Sequence, residues 1–226
     1  MFHLDSDHIY RVSELDRMAW LVHGFGTRQT DLPARFGHMA TLRQIHSAKW
    51  VVAAGRGGVL GIGDALLENT PGAVVAVKTA DCVPLLLVDP AHRAVAAVHA
   101  GWRGAAANIA QKAVAAMAAK YGSRAGDLHA AIGPAIGKCC YEVGPEVAAR
   151  FGVEGRAHID LAQTVRAQLE AAGVGEGRIY TAGLCTRCRA AEFHSYRRDG
   201  AAAGRLYSYA GIAESSPAVT ASHELR

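Results

Sequence analysis

Residues 73–99 read AVVAVKTADCVPLLLVDPAHRAVAAVH. Three apolar runs, Ala73 to Thr79, Pro84 to Asp89 and Ala94 to His99, are separated by short polar connections. Each run is rich in Val, Leu or Ala and bounded by Gly, Pro or Asp, a pattern that predicts strands. Their near-continuous apolarity predicts strands covered on both faces. Working outward, Trp50 to Ala54, Leu128 to Ile132, Arg178 to Ala182 and Leu206 to Tyr209 are further predicted strands. Arg103 to Tyr121 reads as a helix with Ile109, Val114 and Met117 on its apolar face and Gly122 as its stop. Asp160 caps a second helix, DLAQTVRAQLEAAG, that ends at Gly173. No fixed-period repeat and no Pro-, Gly- or Ser-rich linker divides the chain. The expectation is one α/β domain over residues 1–226, its first twenty residues or so and its last ten, the polar PAVTASHELR, peripheral.

With 226 residues, 50% of them hydrophobic and 19% charged, the chain can bury a sizeable core. It contains no apolar run long enough to span a bilayer. The opening MFHLDSDHIYRVSEL is mixed and acidic and does not read as a secretory signal. The net charge of +4 is spread along the chain. It suits small anionic substrates and argues against a nucleic-acid protein, which would carry a clustered basic face. Five cysteines with no such signal favour a reducing, cytoplasmic setting over a disulfide framework.

The third run leads into AVAAVHAGWRG, residues 94–104. A side chain at the carboxyl end of a strand sits at the mouth of a sheet, where ligands gather, and His99 is there. Gly101 and Gly104 allow a positive φ or a close backbone approach. The amides of the following helix start and Arg103 suit an anion. Trp102 offers an apolar wall or a stacking face. Taken alone, this segment is served slightly better by a plain structural account, with His99 bonding a carbonyl and Trp102 packing on the helix. TADCVP (residues 79–84) and LRQIHS (42–47) add Cys82 and His46, both also at turns beside strands. One thiolate and two imidazoles suit zinc with a fourth position open. The same three residues also suit a Cys–His nucleophile–base pair with a second histidine. Spacing leaves both readings standing.

RQIHS, TADCVPLLLVD, AVHAGWRG, IGPAIGKCCYEVG and the late CT…FHSYRRDG…GR, in that order, resemble the YfiH-like (laccase-domain) family over most of the chain, from about His23 to Tyr209. The resemblance implies an α/β fold of the α+β type, a single layered domain with mixed β-sheets packed against helices. It implies one zinc held by His46, Cys82 and His99, with copper as the historical alternative. It implies purine nucleosides and phosphate as substrates, with no nucleic-acid or membrane partner, in a monomer or small homo-oligomer. The implied activity is purine nucleoside phosphorylase, acting also on methylthioadenosine, with adenosine deaminase as a side activity. HGFGTR (23–28) matches a family element, but only 14 residues separate Arg28 from RQIHS, where many relatives have a longer stretch. Part of the nucleoside pocket is therefore expected to be reduced or supplied by other residues.

Phosphorolysis needs preorganised positive charge beside the sugar and phosphate. Arg28, Arg43 and Arg103 are the expected phosphate partners, with Gln44 and Trp102 completing the substrate-binding set. Deamination needs a metal-activated water and a proton shuttle, for which Asp81, beside Cys82, is the nearest group in sequence. Its alternative role is to bond turn amides. CTRC (185–188) has half of a zinc-ribbon spacing, but Cys139 and Cys140 are adjacent and fit a closed tetrahedral site poorly. These four are expected to be buried thiols, with one metal per chain. GPAIGKCCYEVG reads as framework, and Arg197, Arg198 and Arg205 as a rim or contact cluster. Three rival classes stand beside the phosphorylase. A copper polyphenol oxidase lacks the paired HxH motifs among the 11 histidines. A Cys82-nucleophile hydrolase would edit peptidoglycan precursors. A non-catalytic binding module would leave the Cys/His set without purpose.

Overall fold

The computed structural model describes residues 1–214. PAVTASHELR lies outside them. The three runs of residues 73–99 are strands Val74–Thr79, Val83–Asp89 and Ala94–Ala100. The last two form an antiparallel hairpin with Val95 opposite Val88 and His99 opposite Pro84. This hairpin is the middle of a six-stranded sheet in the order Ile179–Thr181, His129–Ile132, Val83–Asp89, Ala94–Ala100, Ala65–Glu68, Trp50–Val52. The first run belongs to a different, seven-stranded sheet, ordered Phe2–Leu4, Ile9–Val12, Leu21–Gly26, Leu206–Ile212, Val74–Thr79, Ala40–Arg43, Gly58–Ile62. Both sheets mix parallel and antiparallel pairs.

The double-sided apolarity has a direct cause. Leu85, Leu87, Ala96 and Val98 face helices Ile109–Tyr121 and Leu161–Ala171, packing with Ala113, Met117, Val165 and Leu169. Alternate residues Leu86, Val88, Val95 and Ala97 face the other sheet, against Val75, Val77, Phe25 and Ala210. The fold is thus a mixed α/β stack of helices, sheet and sheet. Burial of each such leucine is worth roughly 1.5–3 kcal/mol relative to exposure.

Three expectations are corrected. The first twenty residues are not peripheral: two of their strands edge the seven-stranded sheet, and Ile9, Tyr10, Val12 and Leu15 are buried. The single helix expected from Arg103 is two, Trp102–Ala106 and Ile109–Tyr121, broken where Asn108 adopts φ +58°. Neither Gly101 nor Gly104 has a positive φ; their role is close approach. The second helix is capped as expected, with the Asp160 carboxylate accepting from the Gln163 amide at 2.9 Å. No helix among the described residues is long and apolar enough to cross a membrane.

Candidate metal centre and active site

His99 sits on the central strand Ala94–Ala100, Cys82 on the turn before Val83–Asp89, and His46 on the loop after Ala40–Arg43. Their ligand atoms converge within 4.8 Å of one another. Cys82 Sγ lies 3.8 Å from His46 Nε2, and the two imidazole rings stand edge to face with centroids 4.7 Å apart. Gly101 closes the floor. A Cβ there would come 2.6 Å from His46 Cδ2 and 3.1 Å from Cys82 Sγ, so the residue must have no side chain.

A fully buried carboxylate organises both histidines. Asp64 Oδ1 accepts from His99 Nδ1 and from the His46 amide, each at 2.9 Å. Its Oδ2 accepts from the Ser47 amide and hydroxyl, each at 2.6 Å. The left-handed backbone at His46 (φ +60°) accompanies the delivery of two successive amides to one carboxylate. With Nδ1 bonded to Asp64, His99 turns Nε2 toward the cluster, the arrangement of carboxylate-oriented metal-binding histidines. Burial opposes ionisation of Asp64, yet the His99 and Ser47 donors hold its carboxyl below the usual range. Burial pulls His99 down, but Asp64 and Cys82 raise it to about 9. Burial likewise pushes the Cys82 thiol up, and the two imidazoles bring it down to about 6. Three soft donors with an open side and a carboxylate behind one imidazole fit a divalent metal. Sequence reasoning missed Asp64; its one signal is a lone acid, in GIGDALLE, directly before an apolar strand.

The cluster lies on a cavity of about 650 Å³. Of the nine predicted site residues, eight line it: Arg43, Gln44, His46, Asp81, Cys82, His99, Trp102 and Arg103. Arg28 does not. It is spent on the loop before the late helix, its guanidinium donating to the Ala190 carbonyl at 2.8 Å. Two lining residues have other duties than expected. The Gln44 amide both donates to and accepts from the Lys78 backbone, at 2.7 and 2.8 Å, fixing the strand edge. Both Asp81 oxygens are engaged at 2.6 Å, one by the Thr186 hydroxyl and one by the Arg197 amide, so Asp81 is a tether rather than a free proton shuttle. The Arg103 guanidinium lies 4.4 Å over the half-buried Trp102 ring. Lys78, Tyr141, Tyr196, Arg197 and Arg205 also line it, drawn from segments sequence reasoning assigned to framework, rim or strand.

Fold and site together define an α/β protein with a candidate metal pocket of one cysteine and two histidines. The chain belongs to the YfiH/laccase-domain family: the family model described as multi-copper polyphenol oxidoreductase laccase matches residues 26–213. It is 43% identical over 183 residues to a purine nucleoside phosphorylase of Deinococcus radiodurans, covering 76% of this chain and 70% of that one. It is 41% identical over 159 residues to adenosine deaminase RL5 of an unknown prokaryotic organism, covering 64% of this chain and 60% of that relative. The crystal structure of YlmD from Geobacillus stearothermophilus superposes with a TM-score of 0.87 at 27% identity, over 94% of this chain and 99% of the other.

Proposed function

We propose that the chain is a zinc-dependent purine nucleoside phosphorylase that uses phosphate to cleave inosine, guanosine, adenosine and methylthioadenosine, and deaminates adenosine at the same site. The observation that carries this reading is the convergence of His46, Cys82 and His99, ordered by Asp64, on a cavity lined by cationic and aromatic side chains. Its volume suits a nucleoside-sized ligand. The guanidiniums of Arg43 and Arg103 make no hydrogen bond or ion pair among the described residues, so they are open to a phosphate dianion. Trp102 and Tyr141 offer flat faces to a purine. The guanidiniums would hold the phosphate dianion beside the sugar, and its negative charge stabilises the cationic anomeric centre as a phosphate oxygen bonds to that carbon and the bond to the base breaks. The bound metal supplies Lewis-acid polarisation.

Zinc is favoured over multicopper chemistry by the donor count. Among the described residues two groups of soft donors converge, and only one contains histidine. All five thiols are free, which supports a reducing, cytoplasmic setting. We place the activity in a monomer or small homo-oligomer. The test is phosphate-dependent release of hypoxanthine from inosine by zinc-loaded protein without oxygen. Absence of both phosphorolysis and deamination overturns the proposal. A second reading, Cys82 as nucleophile in a hydrolase of peptidoglycan precursors, is favoured by its lowered thiol beside two imidazoles. Chelation separates the two, because a thiolate nucleophile survives metal removal and a zinc enzyme stops.

A further inference from the structure

The four remaining cysteines, expected to be buried thiols without a metal, come together in one cluster. Cys139 and Cys188 are exposed, Cys140 and Cys185 half-buried. The four sulfurs lie within 4.8 Å of one another. Cys188 Sγ is 3.7 Å from Cys139 Sγ and 3.4 Å from Cys140 Sγ, and the latter two are 3.7 Å apart. Four thiolates around zinc at about 2.3 Å stand at the corners of a tetrahedron with edges of about 3.8 Å. All four thiols are free.

The objection that adjacent cysteines fit one site poorly is answered by the turn that carries them. The amides of Cys140 and Tyr141 both donate to the Gly137 carbonyl, at 2.9 and 3.0 Å. That tight turn brings two consecutive side chains to the same neighbour. The Gly137 amide donates to Cys185 Sγ at 3.2 Å, the kind of amide–sulfur bond that supports a metal-bound thiolate. A Cβ at Gly137 would lie 3.2 Å from Cys139 Sγ and 3.3 Å from Cys185 Cβ, so glycine admits the approach. Lys138 and Arg187 flank the ligands in the chain and offset the negative charge of a metal tetrathiolate.

We propose that Cys139, Cys140, Cys185 and Cys188 form a second metal site, a closed tetrathiolate zinc centre with a structural role. All four corners are protein ligands, leaving no position for substrate. The site stands apart from the nucleoside centre. It ties the segment after strand His129–Ile132 to the segment after strand Ile179–Thr181, beside the bridge that pairs Ala135 with Cys185. Those two segments carry Ile136 and Tyr141, and Tyr196 and Arg197, to the cavity wall.

The test is metal analysis of the purified full chain. Two zinc equivalents are expected per chain, one after Cys139→Ser with Cys188→Ser, and one after Cys82→Ala. A single equivalent in the unaltered chain, iron in place of zinc, or two equivalents kept by the double variant overturns the proposal. Two measurements need no variant. Cobalt(II) substitution of the unaltered chain should give charge-transfer absorption from five thiolates in all; absorption from one alone refutes the site. In zinc-replete protein, Cys139 and Cys188 should resist alkylation until a chelator is added, as read by peptide mass spectrometry. Full-rate alkylation before chelation, or a disulfide among the four in protein kept from oxygen, counts against it.

Discussion

The two clusters of soft donors are built on opposite plans. His46, Cys82 and His99 hang on or beside the strands of the buried hairpin and its neighbours, with Asp64 holding the His99 imidazole and the His46 backbone. Cys139, Cys140, Cys185 and Cys188 lie on two loops held by turn hydrogen bonds, the Ala135–Cys185 bridge and the tether from Asp81 to Thr186. The first arrangement spends framework to fix an open site. In the second the proposed metal would itself join the two loops. Chemistry needs the former, because an open coordination position is useful only when its direction is fixed.

Variants can break this contrast. The largest effect is expected at Cys82. Cys82→Ala should abolish nucleoside turnover, whereas Cys139→Ser with Cys188→Ser should keep turnover and raise KM through a loosened wall. Steady-state kinetics decide, and equal loss in both would erase the distinction. Next, Asp64→Asn should weaken metal binding at the histidine centre about 10–100-fold and leave the cysteine cluster unaffected, read by chelator competition. Arg103→Ala should raise the phosphate KM about tenfold, for a loss of about 1.4 kcal/mol of charge-assisted hydrogen bonding. An unchanged KM removes Arg103 from the site.

The smallest effect sets a baseline away from both clusters. His23 is buried and accepts from the Val12 amide at 3.1 Å. Burial, then the charges of Arg11 and His3, lower it from 6.5 to about 3; Asp16 also faces it at 3.9 Å. The unfolded chain takes a proton near pH 6.5 that the folded one refuses, so this contribution is complete above pH 6.5 and is lost as pH falls toward 3. His23→Gln should flatten the slope of stability with pH over that window by up to one proton. An unchanged slope in chemical denaturation refutes this assignment.

The buried hairpin and the three residues of the candidate metal centre were legible because each writes a strong local signal: a run apolar on both faces, and Cys or His where such a run stops. The edge strands at Phe2–Leu4 and Gly58–Ile62 were not, because half-exposed strands carry short, mixed patterns. Asp64 was missed since its meaning comes from 35 residues away, at His99. The cysteine cluster was misread for the same reason: Cys139 and Cys188 are 49 residues apart, and their spacing says nothing of the turn that joins them. Gln44 and Asp81 stand in the right places, but their polar atoms are committed to backbone and hydroxyl partners that only tertiary structure supplies.

Asp64 has one more consequence. Because the His99 ring and the His46 backbone amide share one carboxylate, a displacement of that carboxylate is common-mode: it carries the His99 ring and the chain that bears His46 together. Asp64 also receives the His99 amide on its own carbonyl at 2.7 Å, so strand and carboxylate move as one piece. Movement of that piece carries the His99 ring and the base of the His46 loop in one direction, so the two histidine positions keep their register while the outer cavity wall moves.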